Sequence, residues 1–210
     1  MKDEIHPWFQ TGNISTPILS KVAHYLCMVL NVDDGGFILD AGCGNAELLS
    51  LLHQHGWRDI QLFGCDIEPT HVDMARRHTG LPNLFQVDMA SDDVCVFGDL
   101  KFSAIIAINW LHNDWRFKHA INVERRDETD KLLLDRVMKN IIKLLKPGGW
   151  FICDYRTCLP GFLIKSIDQF FDNVLSLGFT LQHLIKDVRP DTTKVVTWFF
   201  QLQSDDQENS

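Results

Sequence analysis

The sequence predicts a doubly wound α/β domain: a seven-stranded, mostly parallel sheet that ends in a C-terminal hairpin with an antiparallel strand. Three observations carry that expectation. Short apolar runs alternate along the chain with helical patterns, and strands apolar on both faces belong to parallel sheets covered by helices on either side. The last two strand-like runs, Phe179 to Lys186 and Lys194 to Gln203, have only a turn at Arg189-Pro190-Asp191 between them, so one must run against the rest. The chain has 210 residues, the length of a single domain.

The elements follow in order. Thr16-Pro17 places a helix N-cap and a proline at the first helical position, a common start. Ile18, Val22, Tyr25, Leu26 and Val29 then recur at helical spacing, and Gly35-Gly36 breaks the chain. FILDA (Phe37 to Ala41) is the first strand. Asn45 to His55 is a helix with Leu48, Leu49, Leu51 and Leu52 inward, stopped by Gly56. Ile60 to Asp66 is the second strand, and Pro69 opens a helix to about His78. Asn83 to Asp88 and Ser103 to Asn109 are strands three and four. Lys131 to Leu145 is a helix ended by Lys146-Pro147-Gly148-Gly149, and Trp150 to Tyr155 is strand five. Ile164 to Leu177 is a helix closed by Gly178. Residues 1–15 read as an N-terminal arm or lid, 16–203 as the domain, and 204–210 as a disordered acidic tail.

Composition excludes several classes. Hydrophobic residues make up 45% and charged residues 23%, ordinary globular usage. Lys plus Arg is 20 and Asp plus Glu is 28, a net charge of −8. An acidic domain gains nothing from the counterion release that drives nucleic-acid binding, so neither nucleic acid nor an anionic membrane is expected as partner. No run approaches the ~20 apolar residues that cross a bilayer, and MKDEIHPWFQTGN lacks the apolar core of a signal peptide. The six cysteines form no CxxC pair. They are expected as buried thiols of a reduced, cytoplasmic compartment.

The carboxyl ends of the strands concentrate polar residues. The first runs into Asp40-Ala41-Gly42-Cys43-Gly44-Asn45-Ala46; the second ends in Asp66, the third in Asp88, the fourth in Asn109. Ligands of doubly wound sheets bind at this rim, where strand order reverses. A lone aspartate there often just caps a turn. Three in successive strands, after a glycine turn, point to a ligand. Gly44 and Asp66 are 22 positions apart, near the ~20-residue spacing at which a carboxylate reaches ribose hydroxyls in nucleotide-binding βαβ units.

Five segments in order carry a resemblance: ILDAGCGNAELL (Ile38 to Leu49), FGCDIEPTHVDMAR (Phe63 to Arg76), FQVDMAS (Phe85 to Ser91), IIAINWLH (Ile105 to His112) and LLKPGGWFI (Leu144 to Ile152). Together they resemble the motifs of class I S-adenosylmethionine-dependent methyltransferases, small-molecule type, with a Rossmann-like fold. The resemblance implies S-adenosyl-L-methionine as cofactor and S-adenosyl-L-homocysteine as product, with no metal. It implies that Asp40, Ala41, Gly42 and Gly44 form the loop under the methionine part and ribose. Asp66 would hold the ribose hydroxyls and Ile67 pack on adenine. Asp88 would accept from the adenine amino group, the Met89 backbone serve the ring nitrogens, and the backbone at Asn109 meet the cofactor's amino group. The family often has a third glycine where this chain has Ala46.

The implied reaction is methyl transfer to an O or N atom of a small molecule. His112, just after strand four, is the candidate general base, since imidazole titrates near neutral pH; a loop-ordering role is the alternative. Trp8, Trp110 and Trp115 are candidate substrate walls. Arg116, Lys118, Arg125 and Arg126 admit an anionic substrate, although such clusters are more often solvated faces. His53 and His55 lie on different sides of a helix, so no metal site is expected there. A monomer or homodimer is expected. An NAD-dependent oxidoreductase is disfavoured by Glu47 at the third-glycine position of the dinucleotide fingerprint. A non-catalytic partner subunit of the same fold is disfavoured by the three intact carboxylates.

Overall fold

A seven-stranded sheet in the order β3-β2-β1-β4-β5-β7-β6 organises the computed structural model, which describes residues 16–30, 35–108, 128–157, 171–188 and 194–204. Its strands are β1 (Ile38–Ala41), β2 (Leu62–Asp66), β3 (Leu84–Gln86), β4 (Phe102–Ala107), β5 (Leu145–Thr157), β6 (Phe179–Val188) and β7 (Lys194–Leu202). Its helices are α1 (Thr16–Val29), α2 (Glu47–Gln54), α3 (Pro69–Thr79) and α4 (Glu128–Leu144). The pairs from β3 through β5 are parallel. β7 is antiparallel to both of its neighbours, β5 and β6. The doubly wound α/β expectation is met, and the last strand slots inside, leaving β6 at the edge. Among the described residues no helix is long and apolar enough to cross a membrane.

The apolar runs explain the layers. Side chains of a strand alternate between faces, so each strand feeds two cores. Ile38, Ile106, Ile152 and Phe199 join Val22, Leu26, Leu49 and Val72 of the first three helices on one face. Leu39, Ile105, Phe151 and Phe200 join Val137, Ile141 and Leu144 of α4 on the other. On that second face Phe63, Phe85, Phe97 and Phe102 meet edge to face, with ring centres 5.4–5.7 Å apart. Such pairs add roughly 0.5–1.5 kcal/mol each beyond the area they bury.

Strand order reverses at β1, which pairs with β2 on one side and β4 on the other. Here the crossovers leave in opposite directions and open a crevice beyond the carboxyl ends. Gly64 in β2 lets the layers close beneath it: a Cβ there would stand 2.7 Å from Leu84 Cδ2 and 2.9 Å from Leu49 Cδ1.

Several expectations need correction. Lys146-Pro147-Gly148-Gly149 does not stand between helix and strand but lies within β5, which begins at Leu145. The register jumps from Phe102↔Leu145 to Ala104↔Trp150, and Gly148 takes φ 72°. The glycine-proline turn is absorbed as a bulge, the one interior place in a sheet that tolerates proline. The second strand begins at Leu62, because Asp59–Gln61 winds into a 3-10 turn. Its Gln61 is buried and donates to the Gly36 carbonyl at 3.2 Å. Leu51 is half-buried, packed against the margin of the core. Cys43, Cys65 and Cys153 are buried thiols, but Cys27 is half-buried and Cys95 exposed. The arm 1–15, Cys158, residues 164–170 of the expected helix and most of the tail lie outside the described residues.

Candidate functional site

The site starts where β1 ends. The chain leaves Ala41 through Gly42 (φ 75°) and Gly44 (φ 54°), then Ala46 (φ 60°), before α2 begins. The N–H groups of Gly42 and Cys43 both donate to the Cys65 carbonyl, at 2.8 and 2.9 Å. The loop is thereby tied to β2, and its geometry is fixed by backbone. Ala46 is the one described non-glycine residue at positive φ, at the position where the resemblance has glycine. The left-handed conformation costs an L-residue roughly 1–2 kcal/mol, and full burial of the alanine methyl offsets part of that cost. Ala46 gives the first turn of α2 no side-chain cap.

Asp66 closes the loop from the neighbouring strand. Its Oδ2 accepts the Gly44 N–H at 3.0 Å and its Oδ1 the Glu68 N–H at 3.0 Å. The 22-residue spacing read from the sequence is thus a direct bond. Asp66 is buried, while the next residue, Ile67, is 39% exposed. A large apolar side chain left open beside a buried carboxylate is suited to the face of a planar ring. His71, in the first turn of α3, approaches Asp66 from the far side, with Nδ1 3.2 Å from Oδ1.

Beyond β3, Asp88 Oδ1 accepts the Ala90 N–H at 2.9 Å, so this carboxylate also caps its own turn. The turn is anchored from the opposite layer: Asn140 of α4 donates to the carbonyls of Met89 and Ser91, each at 2.9 Å. Met89 itself is buried.

Burial sets the electrostatics. Asp40 is 5% exposed, and desolvation, reinforced by the charge of Asp66, pushes its pKa from 3.8 up to about 8. It is mostly a neutral acid at pH 7. Burial, with the charges of Asp40 and Asp66, also raises the Cys43 and Cys65 thiols; they stay protonated and are not nucleophiles. The Asp66 carboxylate beside it raises the pKa of His71 above 6.5, against an opposing contribution from burial.

The structure therefore brings together Asp40, Ala41, Gly42, Gly44, Asp66, Ile67, Asp88 and Met89 at the carboxyl rim of β1, β2 and β3. Trp8, Asn109, Trp110, His112, Trp115 and the basic cluster Arg116 to Arg126 lie outside the described residues. Two residues escaped the sequence reading. His71 sits five positions after Asp66, a spacing that a helix starting at Pro69 folds back onto the strand end. Asn140 had no local signal, since its partners are 51 and 49 positions away.

Comparison with known proteins adds a family. A family model described as a methyltransferase domain matches residues 38–149, more than half of the chain. The S-adenosyl-L-methionine-dependent Diels-Alderase iccD of Talaromyces variabilis is 29% identical over 138 residues, which is 63% of this chain and 40% of that protein. The chain thus matches well under two thirds of the length of that curated relative. Among solved structures, magnesium protoporphyrin IX methyltransferase (ChlM) from Synechocystis PCC 6803 with bound SAH has a TM-score of 0.62 at 15% identity, over 89% of this chain and 82% of that one. The [4+2]-cyclase SpnF has a TM-score of 0.60 at 15% identity, over 88% and 82%. At these identities the structural likeness concerns the fold.

Proposed function

The chain belongs to the methyltransferase domain family, and from that premise we propose that it moves the methyl group of S-adenosylmethionine onto an oxygen or nitrogen atom of a small molecule. The observation that carries the reading is Asp66: a buried carboxylate tied to the glycine turn, beside an exposed Ile67. The residues fit a nucleoside. A carboxylate accepts hydroxyl hydrogens, Ile67 offers an apolar face, and the space beside Gly44 is open, with nothing within 4 Å of where a Cβ would stand.

Each residue then has a task. Asp66 holds the ribose hydroxyls. Ile67 packs on adenine. Asp88 meets the adenine amino group, and the Met89 N–H serves a ring nitrogen. Asp40, Ala41, Gly42 and Gly44 bed the methionine part, and the Asn109 backbone receives its amino group. Bound S-adenosylmethionine supplies an electrophilic methyl group on a sulfonium. The protein's contribution is orientation and exclusion of water. Trp8, Trp110 and Trp115 wall the acceptor, and His112 takes its proton where the acceptor is a hydroxyl or a protonated amine. No metal is required.

One comparison favours a second reading. The relative iccD is named a Diels-Alderase that depends on the same cofactor, so the fold also supports a catalyst that binds the cofactor without consuming it. Incubation with S-adenosylmethionine and fractionated metabolite extracts separates the two. Methyl transfer yields S-adenosylhomocysteine in step with a product heavier by one methylene unit. Product formation that needs the cofactor but releases no S-adenosylhomocysteine would replace the first reading by the second.

A further inference from the structure

The Asp66 carboxylate is crowded. A carboxylate has about four lone-pair sites; two backbone donors of this chain already use two of them, and an imidazole stands against the same group. The Gly44 N–H is on Oδ2 and the Glu68 N–H on Oδ1; His71 Nδ1 stands 3.2 Å from Oδ1 in ion-pair contact, without hydrogen-bond geometry. A ribose brings two hydroxyl donors to the same group. The two backbone donors belong to the glycine turn and to the turn entering α3, so neither leaves without unfolding its turn. His71 is the one neighbour of the carboxylate that a side-chain rotamer change removes. Its own backbone stays fixed, because its N–H donates to the Glu68 carbonyl at 3.0 Å.

We propose that His71 is a positioning residue that holds the Asp66 carboxylate in the ligand-free protein and yields that place to the ribose hydroxyls, so that the charge of this imidazole governs nucleoside affinity. The inference rests on the cofactor reading above. A neutral imidazole protonated at Nε2 leaves Nδ1 with a lone pair; it then has no hold on Asp66 and can accept a hydroxyl hydrogen. An imidazolium carries hydrogen on both nitrogens, stays on the carboxylate, and adds positive charge beside a cationic cofactor.

The groups around it bias the switch. Asp66 on β2 and Glu68 in the following turn both favour the charged form. Asp40 on β1 feels the charge of Asp66. On α3 itself lie Asp73, Arg76, Arg77 and His78, and β3, packed against α3, carries only Leu84, Phe85 and Gln86. Affinity should therefore rise with pH across a window at and above 6.5, where His71 loses its proton. Asp40, titrating near 8, alters the affinity of the cationic cofactor in the same direction, so a neutral nucleoside is the cleaner probe.

The test is the dissociation constant of adenosine, and of S-adenosylmethionine, at intervals from acid to mildly alkaline pH, by calorimetry. The wild type should bind adenosine roughly three- to tenfold more weakly at the acid end, as linkage to one proton dictates. His71→Gln should flatten that dependence. A parallel NMR titration of the His71 ring in the wild type needs no variant: adenosine should lower its pKa. An adenosine affinity with the same pH slope in His71→Gln and wild type, or a His71 pKa unmoved by adenosine, overturns the role of His71 while leaving the cofactor reading intact. Failure of folded protein to bind either ligand at any pH overturns the cofactor reading, and the proposal with it.

Discussion

Replacing Asp66 by alanine removes the acceptor of two backbone donors, Gly44 and Glu68, and the ion-pair partner of His71. The substitution should weaken S-adenosylmethionine binding about ten- to a hundredfold, the worth of a charged acceptor at roughly 1.5–3 kcal/mol. It should also loosen the glycine turn, detectable as faster amide exchange at Gly44. Calorimetry on folded protein checks the first effect, and an unchanged affinity would remove Asp66 from the site. Asp40 makes a prediction of opposite character. Its folded pKa is raised from 3.8 to about 8, so the folded state keeps a proton that the unfolded chain has lost. The resulting stability is complete below pH 3.8 and lost as pH rises to 8, at no more than about 1.4 kcal/mol per pH unit. The raised pKa of His71 acts in the same direction above 6.5. Denaturant midpoints measured across this range should fall in the wild type and fall less in Asp40→Asn. Equal slopes would show that Asp40 is ionised in the fold. The aspartates were legible in the sequence because their positions at strand ends and their spacing are one-dimensional. Their protonation was not, since it depends on burial among residues distant in the chain.

At the level of elements, the glycines divide into those that turn the chain and those that let it pack. Gly64 is of the second kind. An added methyl there would meet Leu84, Leu49 and the Cys43 thiol at 2.7, 2.9 and 3.1 Å. Gly64→Ala should destabilise the fold by about 1–3 kcal/mol, the usual cost of overpacking, and should push α2 and its preceding loop off β2. A loss of stability with no change in cofactor affinity would mean that the core yields locally and the loop does not feel it. Among the described residues, element identity and order were read correctly from hydrophobic periodicity, since the central strands β1, β2 and β4 are buried on both faces. Boundaries failed where a local signal met a tertiary one. Lys146-Pro147-Gly148-Gly149 is turn chemistry by composition, yet pairing with β4 draws it into β5 as a bulge. Asn140 shows the converse limit. Its two bonds to the turn after β3 are made only when α4 docks on the sheet, so nothing near it in sequence announces them.

For the whole molecule, the reversal of strand order at β1 gathers the ends of β1, β2 and β3 on one rim of the sheet, where we propose that the cofactor binds. The acceptor was not legible to the same degree, because the residues expected to meet it, Trp8, Trp110, His112 and Trp115, fall in stretches with little hydrophobic periodicity to read. The central claim is that the crevice is built for an adenosine-bearing sulfonium and not for a nicotinamide dinucleotide. Isothermal titration of the folded protein with S-adenosylmethionine, S-adenosylhomocysteine and NAD tests it most directly. The first two should bind saturably, one to one, and more weakly to Asp66→Ala, and NAD should not bind. Binding of NAD in preference, or of none of the three, would contradict it.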